Sequence, residues 1–130
     1  MRGSKTIRVG ALAVLLAATA CKDFHLSASN LEIGPNPAVP GDVVVVSFFL
    51  SLVPVQRHTV RVMIDDVEHL AVTSTEQPAV PTLITLGDAA DLIAAYGVGA
   101  HAVHIEVRAH DADRTARTQA IGFELRQATP

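Results

Sequence analysis

Alternating apolar and polar positions predict strands over most of this chain. Val43 to Val53 carries the pattern most strongly: Val44, Val46, Phe48, Leu50 and Leu52 are uniformly apolar, while Ser47 and Ser51 fall on odd positions. A period of two gathers such residues on one face of a strand, so the even face is expected in the core. Val43, Val45, Phe49 and Val53 leave the other face apolar too. A second long strand is predicted from Ala100 to Ala109, with His101, Val103, Ile105, Val107 and Ala109 inward. Ala102, His104, Glu106, Arg108 and His110 then point outward. His58 to Ile64 and Val67 to Val72 flank Asp65-Asp66, a two-residue polar break that predicts a hairpin. Shorter strands are expected at Asn30 to Ile33, Leu83 to Leu86 and Ala116 to Leu125, the last with Ile121, Phe123 and Leu125 inward.

Between these runs the chain carries breakers. Pro35, Pro37 and Pro40 exclude a helix and interrupt ladder bonding, so Gly34 to Asp42 reads as an edge piece with a turn at Pro40-Gly41-Asp42. Thr73 to Thr82 reads as a loop, and Asp111-Ala112-Asp113-Arg114 as a polar turn. One helix is predicted after Asp88, which can cap its first turn; Ala89 to Tyr96 continues it and Gly97 and Gly99 end it. About seven short strands, one minor helix and no helix-strand alternation select an all-β fold, an antiparallel β-sandwich.

The first twenty residues follow a different logic. Arg2, Lys5 and Arg8 form a basic start, and the twelve residues Val9 to Ala20 are uncharged, fewer than the roughly 20 that span a bilayer. This is the layout of a secretory signal. Leu15-Leu16-Ala17-Ala18-Thr19-Ala20-Cys21 resembles the lipobox of bacterial lipoproteins. That resemblance implies cleavage between Ala20 and Cys21, acylation of Cys21, and a membrane partner reached through the lipid anchor; more than one acyl chain makes such anchoring stable. The alternative is an ordinary Ala18-x-Ala20 cleavage site that releases a soluble secreted β-sandwich. The expected organisation is a signal peptide over 1–20, a flexible tether over 21–29 from the lipidated Cys21, and one sandwich domain over 30–127.

Within that domain, Pro40-Gly41-Asp42-Val43-Val44-Val45-Val46 and the run from Gly99 to Asp111 are similar to a strand and the final hairpin of bacterial immunoglobulin-like modules, the fibronectin-III-like and PKD-like families. The resemblance implies a spacer, adhesion or binding module on the cell envelope. The chain lacks the buried Trp and paired Cys of antibody-type domains, and Tyr96 is the candidate for a tyrosine corner.

Composition narrows the partners. The chain has 130 residues, 49% hydrophobic and 18% charged, which bounds it to one ordered domain. Three of its ten basic residues lie in the signal, so the remainder carries seven basic residues against thirteen acidic ones. An acidic domain with few aromatics is a poor nucleic-acid binder. With no Trp and one Tyr, it also lacks the aromatic platforms that carbohydrate sites use. The outward residues Val43, Val45, Phe49 and Val53 are left as a candidate protein-binding patch, unless another part of the fold covers them.

Candidate chemistry is sparse. His101-x-x-His104 would place its rings on opposite faces of a strand, and His101 is expected to pack inward with a backbone hydrogen bond. His104, Glu106 and His110 share the outward face, and a ligand borrowed from a neighbouring strand could complete a zinc site. That is the alternative function, a small metal-binding protein or metal-dependent enzyme. Asp111 and Asp113, like Asp65 and Asp66, offer oxygens of the kind calcium takes, but each pair reads as turn-forming acids. The chain has no Gly-x-Ser-x-Gly elbow and no His-Glu-x-x-His, and it has one cysteine. The expectation is a lipid-anchored, non-catalytic envelope module without a cofactor, whose further partner is another envelope protein.

Overall fold

Eight strands and one helix make up residues 24–128, the part of the chain that the computed structural model describes. In chain order they are β1 (His25–Gly34), β2 (Val43–Val53), β3 (His58–Ile64), β4 (Val67–Ser74), β5 (Thr82–Asp88), α1 (Ala89–Tyr96), β6 (Gly99–Ala109), β7 (Arg114–Arg117) and β8 (Ile121–Leu125). The expected signal segment, the expected cleavage site at Ala20 and Cys21, and Cys21 as the expected acylation site lie outside the described residues.

Two antiparallel sheets form a sandwich. One has the order β1-β2-β5; the other has the order β4-β3-β6, with both β7 and β8 paired to the far side of β6. The alternation in β2 does what a period of two requires: Val44, Val46, Phe48, Leu50 and Leu52 are all buried, and four of them meet Val60, Val62 and Ile64 of β3 and Val103, Ile105 and Val107 of β6 in one core. Ala89 and Leu92 bury one side of α1 in the same core. Fully burying a side chain of this size stabilises by about 1.5 to 3 kcal/mol, so these residues supply the main driving force.

Local signals account for the turns. Asp65 and Asp66 both hold positive φ, at 51° and 64°, as a type I′ hairpin turn demands, although neither is Gly. Asp65 is held there by its carboxylate, which accepts from the Ala102 backbone N–H at 2.9 Å. At the start of α1, the Asp88 carboxylate accepts from the Ala90 N–H at 2.8 Å and from Gly41 at 3.2 Å, tying the helix to the β1–β2 connection. Gly97, with φ of 89°, ends the helix by donating to the Ile93 carbonyl.

Several boundaries differ from the sequence reading: β4 runs on to Ser74 and β5 spans Thr82–Asp88, so both ends of the expected Thr73–Thr82 loop are strand, and Arg114 of the expected turn opens β7. Residues 25–29, expected in the tether, belong to β1 and pair with the last residues of β2, from His25 opposite Val53 to Ser29 opposite Phe49. An irregularity between Ser29 and Glu32, with Asn30 at φ 55°, adds a residue there. It turns Leu31 and Ile33 inward after Leu26 and Ala28, and this change of phase hides the strand from a strict period of two. The predicted closing strand from Ala116 to Leu125 is two strands, β7 and β8. Between them the buried Thr118 takes both backbone groups of Ile105: its hydroxyl accepts from the Ile105 N–H and its own N–H donates to the Ile105 carbonyl, each at 3.0 Å. The proline segment lies along β8, where Ala38 is fully buried and exchanges backbone hydrogen bonds with Glu124 and Arg126 at 2.9 Å.

Candidate functional site

The two outer faces of the sandwich differ in chemistry. On the β4-β3-β6-β7 sheet, charges alternate across the strands: Arg61 meets Glu68 at 3.2 Å, Glu106 lies 3.7 Å from Arg117, and Arg108 meets Asp113 at 2.9 Å. The Glu106 pKa is held below the usual carboxylate range, first by the hydrogen bond from His104 at 2.9 Å and then by neighbouring positive charge, with Arg117 ahead of Arg61. The charges named on this face are paired within it.

The outer face of β1-β2-β5 carries exposed apolar side chains, with half-buried Val45, Ser47 and Ser51 between those of β2. Val43, Phe49 and Val53 of β2 and Leu83 of β5 are exposed, Phe49 at 44% and Leu83 at 65%. No described element covers them, so the open face allowed by the alternation of β2 is what the fold leaves. Val80, 71% exposed, comes from the loop before β5 and lines a shallow depression with Phe49 and Val53.

Around the β5 edge this surface meets a cleft between the two sheets. The cleft holds about 560 Å³ and is floored by Leu50 and Val60, with Leu70 and Val72 of β4 on one side and Ile84 of β5 on the other. It arises because β4 and β5 are edge strands of opposite sheets that pair with nothing across the gap. Its size suits a small ligand or a few side chains of a partner, and its floor is apolar.

At the helix end the same seam is closed. A shift in register between β3 and β4 leaves His69 unmatched, between Leu70 opposite Val62 and Glu68 opposite Met63. Its Nε2–H donates to the Leu86 carbonyl of β5 at 2.8 Å, and its Nδ1 accepts from the Tyr96 hydroxyl at 2.8 Å. Burial raises the Tyr96 pKa, with the Asp65 charge adding to it. Tyr96, the tyrosine-corner candidate of the sequence, thus serves this seam between α1 and β4.

The residues singled out for metal binding do not converge on one point. His104 Nε2 is engaged with Glu106, while its Nδ1 lies 3.9 Å from Asp66 on the opposite side of the ring. His110 turns to the Thr59 hydroxyl at 2.8 Å, and Asp113 is taken by Arg108. Asp111 lies in the turn after β6. Among the described residues, no three His, Cys, Asp or Glu side chains are grouped to hold a metal ion. His101 packs inward, as the alternation of β6 implies, and makes the expected backbone hydrogen bond, to Gly97. Its bond to Asp65 at 2.6 Å was not legible from spacing, because 36 residues separate the two.

Compared with known proteins, the chain matches no protein-family model and no curated protein.

Proposed function

We propose that this chain is a lipid-anchored cell-envelope protein with a non-catalytic immunoglobulin-like module, which binds another protein through the outer face of β1-β2-β5. The observation that carries the binding half is the contrast between the faces: one sheet presents paired charges, the other presents Val43, Phe49, Val53 and Leu83 to solvent. Apolar surface costs free energy in water and is recovered when a partner covers it, whereas the ion-paired face has little to gain from desolvation. Val80 and the cleft beside β5 extend the apolar surface, giving a partner side chain somewhere to insert.

The anchoring half rests on the sequence from Leu15 to Cys21. The immunoglobulin-like assignment rests on strand order. Constant-type immunoglobulin modules place strands one, two, five and four in one sheet and three, six and seven in the other. Taking β7 and β8 as one interrupted strand, this chain has the same partition except that β4 pairs with β3.

The test is photo-crosslinking in the native envelope, with the reactive group at Phe49 in one sample and at Arg61 in another, followed by the intact mass of the extracted protein. The expected result is a discrete protein adduct from Phe49 and none from Arg61, on a chain whose mass is residues 21–130 plus acyl groups. Adducts from Arg61 alone, or from neither position, would refute the binding face; an unmodified mass in the soluble fraction would refute the anchor.

A further inference from the structure

His101 stands at the meeting point of three elements. It lies at the start of β6, its Nδ1 is 2.6 Å from Asp65 Oδ2 in the β3–β4 turn, and its Nε2 is 2.7 Å from the Gly97 carbonyl at the end of α1. Both partners are acceptors: a carbonyl has no proton to give, and an ionised carboxylate has none either. An imidazole satisfies two acceptors only when both ring nitrogens carry hydrogen. The ionised state of Asp65 is favoured independently, because its other oxygen accepts from the Ala102 N–H at 2.9 Å. The His101 side chain is 7% exposed, so water replaces a lost partner poorly.

We propose that His101 is a proton-operated latch: its doubly protonated ring fastens the end of α1 and the β3–β4 turn to the start of β6, and loss of one ring proton releases the end of α1. The released partner is Gly97 because the remaining proton stays on Nδ1, facing the charge of Asp65. An imidazolium at the end of α1 also complements the negative end of the helix, whose own last turn holds no basic residue. Release is carried further, since Tyr96, next to Gly97, holds His69, and His69 holds the Leu86 carbonyl across the inter-sheet seam. The latch thus controls how firmly the two sheets are closed beside the cleft.

The groups that face His101 are few. Asp65 comes from the β3–β4 turn, Tyr96 from α1 with its ring centre 6.3 Å away, and the uncharged Phe123 from β8 at 5.7 Å. Asp66 lies beside Asp65 but is directed to His104, and His69 of β4 reaches His101 only through Tyr96. Burial lowers the His101 pKa, yet the bond to Asp65, the Gly97 carbonyl and the Asp65 charge together outweigh it and leave the value raised above 6.5. A raised histidine pKa stabilises the fold fully below its unfolded-state value, and that contribution is lost as pH rises through the folded-state value.

The test is an NMR titration of the full chain from pH 5.5 to 9, reading the His101 ring signals and the exchange protection of the Gly97 amide, corrected for the intrinsic pH dependence of exchange. The His101 ring is expected to titrate above 6.5, with protection of Gly97 falling about tenfold as it does so. The Val60 and Ile105 amides should keep theirs. In Asp65→Asn the His101 titration should move to lower pH, and in His101→Gln the Gly97 protection should be low and independent of pH. A His101 titration at or below 6.5, or a Gly97 protection unchanged across it, overturns the latch, and both are read on the wild type even where a variant does not fold.

Discussion

Replacing Thr118 with Val should expose how much the interruption between β7 and β8 contributes. Thr118 is 8% exposed and fills the place where β6 has no strand partner: its hydroxyl is the acceptor for the Ile105 N–H at 3.0 Å. Val keeps the shape and removes the acceptor, leaving a buried N–H unpaired at a cost of about 1 to 3 kcal/mol. The methyl that replaces the hydroxyl returns about 0.8 kcal/mol through burial, so the net loss should be about 0.2 to 2 kcal/mol. Thr118→Ser keeps the acceptor and deletes one methyl, for a loss of about 0.8 kcal/mol. Urea unfolding followed by circular dichroism reads both. With a slope of about 2 kcal/mol per molar, the midpoint of the Val variant should fall by roughly 0.1 to 1 M and that of the Ser variant by roughly 0.4 M. A Val variant at least as stable as the wild type would refute the account of Thr118 as a stand-in for a ladder partner.

Asp88→Ala should destabilise by about 1 kcal/mol through loss of the cap on Ala90 and lower the melting temperature by about 4 °C or more, while Asp88→Asn, which keeps an acceptor, stays close to the wild type in the same scan. On the acid side, Asp65 is held below its ordinary pKa by the Ala102 N–H and then by His101, and Glu106 by His104. Depressed carboxylates stabilise the fold above their unfolded-state values and lose that contribution as pH falls through the folded-state values. Urea midpoints should therefore be flat near pH 5 to 6 and decline below about pH 4, with a shallower decline in Asp65→Asn; a midpoint that rises on acidification contradicts both assignments.

What local chemistry encodes was legible. The even positions of β2 are buried and its bounds are Val43–Val53 as the alternation predicts, because a period of two sorts side chains whatever the partner strand. The same holds for β6, for the two-residue turn at Asp65-Asp66, and for α1 between its Asp88 cap and Gly97. The first half of β1 was not legible, since Ser27 and Ser29 look like tether until pairing with β2 orders them. Nor was the break at Thr118, whose place is set by the Ile105 backbone group left without a strand partner.

The candidate site divides along the same line. The sequence names Val43, Val45, Phe49 and Val53 as an outward apolar row, but Val45 is half-buried, and the exposure of the others depends on whether another layer packs there, which is a property of the assembled sheets. His101 is inward by periodicity, yet its partner Asp65 reaches it only because the β3–β4 turn folds over the start of β6. The cleft has no sequence signal at all: its lining residues come from four strands and a loop, and it exists because two edge strands of opposite sheets diverge. Which side chains turn inward is decided by spacing along one strand. Which outward ones stay open, and which charged groups meet, is decided by contacts between segments far apart in the chain, whose register no local preference specifies.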